Sequence, residues 1–186
     1  MNQIKYVCFE DLPEDFIIYS SLIEKAFDKI KADYSAWTDV VITKILPTYD
    51  NVSSLISSYL NRNRNNTNAF KIELEKKQLI NTDIIYFIDD NWSGRDNAGS
   101  TFFTDFLDNK QLLNGENAIV LTIQTKPHST HGGLQFLNKE DAKSSINHIT
   151  NKIEKTKIFK DIMLQYEQTY TREEKQPDDS TQWGKI

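Results

Sequence analysis

Residues 84–94 read IIYFIDDNWSG, an unbroken apolar run that closes on two adjacent aspartates and a glycine-containing turn. A run this short, rich in isoleucine and aromatic residues and without polar alternation, specifies a buried strand. IKYVCFE (4–10) and NAIVLTI (117–123) have the same character, and LQFLN (134–138) is a shorter candidate. Between them the apolar period changes. PEDFIIYSSLIEKAFDKIKADY places Phe16, Ile17, Leu22, Ile23, Ala26, Phe27 and Ile30 at helical spacing, with Pro13 and two acids in the first turn. WTDVVITKIL (37–46) reads as a second strand. VSSLISSYL (52–60) and NAFKIELEKKQL (68–79) are helical patterns separated by the polar NRNRNNTN. After Gly99, STFFTDFLDNK forms a further helical face from Phe102, Phe103, Phe106 and Leu107. QTKPHSTHGG (124–133) is loop chemistry. From Glu140 to about Tyr170 one helical pattern carries Ile146, Ile149, Ile153, Ile162 and Met163, and REEKQPDDSTQWGKI reads as a tail or linker. Strands alternating with helices predict an α/β fold with a mostly parallel sheet, because parallel strands need crossover connections.

Composition narrows the function. The formal charge of −5 gives no basic footprint for nucleic acid, and NRNRNN (61–66) reads as a solvated loop. The apolar runs are too short to span a bilayer, and MNQIKYVCFED is not a signal peptide. Cys8 is the only cysteine and sits inside an apolar run, as a small buried hydrophobe would. His128, His131 and His148 show no zinc spacing. These features lead to the expectation of a soluble cytoplasmic protein that binds neither nucleic acid nor membrane.

In open α/β sheets, ligands bind outside the carboxyl ends of the strands. The first strand ends in Glu10-Asp11, the strand from 84 in Asp89-Asp90, NAIVLTI near Thr122, and LQFLN immediately before Lys139. An acid pair, an Asp, a Thr and a Lys, in that order and placement, resemble a response-regulator receiver domain. YVCFED resembles the first strand of that family, and IIYFIDDNWSG its phosphoacceptor strand and loop, with Gly94 five residues after Asp89. AIVLTI resembles the fourth strand, and GGLQFLNKED the fifth, with Phe136 three residues before Lys139. The resemblance runs from about residue 3 to residue 154, with a gap in the middle.

The resemblance implies a flavodoxin-like, open five-stranded parallel sheet of order 2-1-3-4-5 with helices on both faces. It divides the chain into a receiver-like domain (1–154), holding a helical insertion at about 47–80, and a C-terminal helical extension with a polar tail or linker (155–186). It implies a bacterial two-component function in which Asp89 accepts a phosphoryl group from a histidine kinase, a phosphotransfer protein or a small donor. Mg²⁺ would be held by Asp11, Asp89 and the backbone carbonyl of Asn91, with Glu10 acting through water. Lys139 and Thr122 would contact the phosphoryl oxygens, and movement of Thr122 would let Phe136 turn inward as the switch. Asp90 is expected in solvent or on the second face of the sheet.

The pattern also departs from the family. Trp92-Ser93 stands where an aliphatic residue and proline are usual, Ile123 replaces a small residue, and the short span from Thr122 to Lys139 leaves little room for a fourth helix. A degenerate receiver that serves as a protein-interaction module in signalling or defence, through a partner protein or a homodimer, is therefore the alternative. A haloacid-dehalogenase-type phosphatase would need Asn91 as its second aspartate and Asp178-Asp179 as its later metal motif, and leaves Glu10-Asp11 without a role.

Overall fold

In the computed structural model, five parallel strands form one open sheet: β1 (Gln3–Phe9), β2 (Val41–Lys44), β3 (Ile84–Asp89), β4 (Ala118–Thr122) and β5 (Gln135–Asn138), in the order β2-β1-β3-β4-β5. Helices cover both faces, so the architecture is flavodoxin-like. The structure describes residues 3–62, 66–108, 114–123 and 133–173, without the side chains of residues 114 and 171–173. The loop expected over 124–133, where a fourth helix is expected to be short or missing, lies outside the described residues except for Gly133, as does the tail beyond 173.

β3 and β4 are buried at every position, as central strands covered on both faces must be. β2 is shorter than WTDVVITKIL. Ser35–Trp37 form a 3₁₀ turn that buries Trp37, and Val41 on this edge strand is 41% exposed. α1 (Pro13–Asp33) starts at its proline and buries Phe16, Tyr19, Ile23, Ala26, Phe27 and Ile30, whereas Ile17 points to solvent at 68% exposure.

The middle of the chain forms α2 (Tyr49–Leu60), capped by the Thr48 side chain, and α3 (Thr67–Lys76). Their Tyr59 and Phe70 join Phe9, Trp92, Phe102 and Phe106 in an aromatic cluster with ring centroids 5.0–6.5 Å apart. These two helices thus pack on the loop that follows Asp89. α4 (Ala98–Phe102) continues as a π-helical turn over Phe103–Leu107.

The single helical pattern from Glu140 is in fact three helices: α5 (Lys139–Ser144), α6 (Ile146–Ile153) and α7 (Lys157–Glu173). Ser145 is extended and caps Asn147, and Thr156 accepts from the Phe159 N–H, so each side-chain oxygen starts a new helix. Phe159 of α7 stacks on Trp37 with centroids 5.3 Å apart, and Asn117, just before β4, accepts from the Ile158 N–H. α7 therefore sits at the amino ends of the strands, the edge opposite Asp89. Among the described residues no helix is long and apolar enough to cross a membrane.

Gly99 fixes how closely α4 approaches β3. A Cβ there would overlap the Asp89 carbonyl oxygen and lie 2.8 Å from Ile88 Cγ2. Gly94, at φ +73°, has open space around it and needs glycine only for its backbone. Gly99→Ala is expected to cost on the order of 3 kcal/mol through overpacking, and Gly94→Ala about 1 kcal/mol through its left-handed backbone. Urea denaturation of both variants checks this, and an equal or smaller loss at Gly99 contradicts the packing account.

Candidate functional site

Alternation along parallel strands sends every second side chain to the same face, and register partners share it. Cys8 pairs with Phe87 and Asp89 with Leu121, while Leu121 pairs with Leu137. Two residues past Cys8 stands Glu10, and two past Leu137 stands Lys139. Glu10, Asp89 and Lys139 therefore leave three strand ends on one face, the face covered by α1.

There Lys139 Nζ lies 2.8 Å from Asp89 Oδ1, 3.2 Å from Glu10 Oε2 and 3.7 Å from Asp15 Oδ2 of α1. Glu10, Asp89 and Lys139 are all buried, so little water screens these charges. Asp11 joins from the β1–α1 turn: Glu10, Asp11 and Asp89 each offer a carboxylate oxygen within 4.8 Å of the others. Three hard oxygen donors this close together could hold a hard metal cation. Asn91 is tied to the site through its N–H, which donates to Asp89 Oδ1 at 3.3 Å.

The loop after Asp89 is pinned at several points. Trp92 and Arg95 exchange backbone hydrogen bonds across Ser93 (φ 52°) and Gly94 (φ 73°), a turn with both central residues left-handed. Asp11 Oδ2 accepts from the Ser93 N–H at 2.6 Å, and the Tyr49 hydroxyl donates to the Asp11 carbonyl at 2.8 Å. Trp92 is fully buried in the aromatic cluster, so its bulk turns inward rather than over the site.

Asp90 is buried on the second face, not in solvent. Its backbone N–H extends the ladder to Leu121, and its carboxylate accepts from the Ser100 N–H at 3.0 Å, satisfying a donor in the first turn of α4. The two adjacent aspartates thus point to opposite faces, one to the acid–lysine cluster and one to a helix terminus.

Thr122 ends β4 and is buried, but its register partner is Asn138, so it shares a face with Val120 and Phe136 and borders the cluster from the other side of the sheet. Phe136 is half-buried, diagonal to Thr122 on that face. Ile123, immediately after, is 65% exposed. Asp15 and Tyr19 of α1 also reach the cluster, although neither stands at a strand end. Asp15 also bonds Lys143 at 3.0 Å. The ring of Tyr19 lies 5.6 Å from Lys139 Nζ, and its buried hydroxyl has no hydrogen-bond partner among the described residues. Their i, i+4 spacing on the buried face of α1 was the available signal. Asn91, where a phosphatase needs a carboxylate, donates its amide to Asp96, and Asp178-Asp179 lie outside the described residues.

Burial, and then the Asp89 charge, push Glu10 up to about 8 against the pull of Lys139. Burial also raises Asp89, although Lys139 and the Asn91 N–H oppose it. Burial works against the Lys139 ammonium, but Asp89 and Glu10 outweigh it and hold the pKa above its usual range. One ammonium between two buried carboxylates leaves one negative charge in excess, and near neutrality a proton on Glu10 removes it. Cys8, fully buried, has its thiol pushed up to about 12 and is inert as a nucleophile.

No protein-family model, curated protein or solved structure matches the chain.

The Glu10 shift has a definite sign. A carboxyl whose pKa is higher in the folded state stabilises most fully below its unfolded value of 4.5, and that contribution fades as pH rises through about 8. Glu10→Gln removes the titration. Relative to wild type it should therefore gain on the order of 3 kcal/mol of stability between pH 5 and pH 8. Chemical denaturation at the two pH values checks this, and a pH-independent difference contradicts the protonation assignment.

Proposed function

We propose that the chain is a receiver-type phosphoacceptor of two-component signalling, taking a phosphoryl group on Asp89 in the presence of Mg²⁺. The observation that carries this reading is the convergence of Glu10, Asp11, Asp89 and Lys139 from the ends of β1, β3 and β5. Bound there, the cation supplies charge neutralisation for the carboxylates and the incoming phosphoryl oxygens. An oxygen of Asp89 attacks phosphorus. A P–O bond forms as the donor's bond to phosphorus breaks, and the electron pair leaves on the imidazole of a histidine kinase or phosphotransfer protein, or on acetate from acetyl phosphate. Lys139 already lies within reach of Asp89 and supplies an ammonium to the same oxygens. Thr122, one residue past the register partner of Asp89, would supply a hydroxyl from the adjacent strand end, and Phe136, diagonal to it on the same face, would respond to its movement. We place such a protein in the cytoplasm, where these donors are found.

A second reading, a docking module that is never phosphorylated, is favoured by one observation. Ile123 projects into solvent directly beyond Thr122, where a donor would approach. The two readings separate in one experiment. With acetyl phosphate and Mg²⁺, intact-mass measurement is expected to find one base-labile phosphoryl adduct on wild type and none on Asp89→Asn. Asp90→Asn should keep most of the labelling, because an asparagine oxygen can still accept from the Ser100 N–H. An adduct that survives Asp89→Asn, or equal loss in both variants, contradicts the acceptor assignment. No adduct on folded wild type supports the docking module.

A further inference from the structure

Tyr19 of α1 is fully buried, and its hydroxyl meets no hydrogen-bond partner among the described residues. The hydroxyls of Tyr6, Tyr34, Tyr49 and Tyr86 each donate to a protein oxygen at 2.8–3.0 Å. Leaving a buried donor unpaired is costly, so the exception at Tyr19 needs a physical reason. Trp37 and Trp92 also bury an unpaired indole N–H, but both rings lie among aromatic neighbours. Tyr19 faces charged groups instead.

The residue stands one helical turn after Asp15, on the face of α1 that covers the acid–lysine cluster. Helical side chains lean towards the amino end of their helix, which for α1 lies at the carboxyl edge of the sheet. The ring is 5.6 Å from Lys139 Nζ and 5.4 Å from Lys143 Nζ. Burial, and then the Asp15, Glu10, Asp89 and Glu140 carboxylates, push the pKa of the hydroxyl up. It therefore keeps its proton, and the carboxylates that act on it are those of the cluster. The charge of Asp15 is itself met, by Lys143 at 3.0 Å and Lys139 at 3.7 Å. What remains on the α1 side of the cluster is a protonated donor with no acceptor.

We propose that the Tyr19 hydroxyl donates a hydrogen bond to an oxygen of the phosphoryl group taken up at Asp89, an inference that rests on the receiver reading above. A phosphoryl group brings three charged oxygens, and its transfer depends on donors already aimed at them. On that reading Lys139 meets these oxygens from the start of α5 and Thr122 from the end of β4. Tyr19 adds a donor from α1, the helix that covers this face. A hard cation is served by the carboxylates, and a protonated phenol offers it little, so the hydroxyl favours the oxyanion over the metal. The hydroxyl transfers no proton, and the bonds made and broken at phosphorus are unchanged.

Tyr19→Phe in the full chain removes the hydroxyl and keeps the ring. With acetyl phosphate and Mg²⁺, followed by intact mass, the initial rate of adduct formation should fall about tenfold or more. The urea midpoint should stay the same or rise, because the variant no longer buries an unpaired hydroxyl. Mg²⁺ affinity measured without the phosphodonor should not change. Equal labelling rates in variant and wild type overturn this inference and leave the receiver reading standing. A slower rate accompanied by a lower urea midpoint, or by weaker Mg²⁺ binding, assigns the hydroxyl to the fold or to the cation and overturns it as well. Wild type that takes up no phosphoryl group overturns the receiver reading and this inference with it.

Discussion

A single ammonium shared by two buried carboxylates organises this molecule. Lys139 reaches Asp89 and Glu10 together because β1, β3 and β5 end with these residues on one face. Buried charges persist only when paired and hydrogen-bonded, and losing one partner costs more than the pair contributes. Here the pairing is incomplete by one negative charge. A proton on Glu10 meets the excess, and a cation held among the Glu10, Asp11 and Asp89 carboxylates would meet it equally. A site balanced between those two solutions suits metal-dependent chemistry, because a divalent ion can replace a proton without rebuilding the fold.

The surrounding scaffold keeps that cluster in register. Gly99 lets α4 pack directly against the Asp89 carbonyl, and Asp90 ties the same helix to the end of β3 through Ser100. Trp92 anchors the following turn in an aromatic cluster to which α2, α3 and α4 each contribute, and Asp11 holds the Ser93 N–H. The double aspartate that ends the apolar run is thus a division of labour. One carboxylate faces the charged cluster, the other satisfies a helix terminus, and their repulsion is limited because they leave opposite faces of the strand.

Much of this was legible in the sequence because the central strands are buried on both faces and so read as continuous apolar runs. The strand-end residues followed from those runs, and Glu10, Asp11, Asp89 and Lys139 do meet. Other features were hidden for physical reasons. An edge strand such as β2 is half-exposed and carries no such run, so the apolar pattern does not mark where it starts. Ile17 fits the apolar spacing of α1 but faces solvent, because spacing constrains a face only to within a residue or so. The breaks at Ser145 and Thr156 are made by side-chain caps inside a continuous apolar period, which periodicity does not register. Asp15 and Tyr19 enter the site from a helix, and strand ends alone do not point to them.

The most direct test of the central claim is calorimetric titration of Mg²⁺ at pH 7 in two buffers of different ionisation enthalpy, which counts the protons released on binding. The account predicts one ion per chain, a measurable fraction of a proton released as Glu10 ionises, and loss of binding in Asp89→Asn. No saturable binding, or binding without proton release that survives Asp89→Asn, would contradict it.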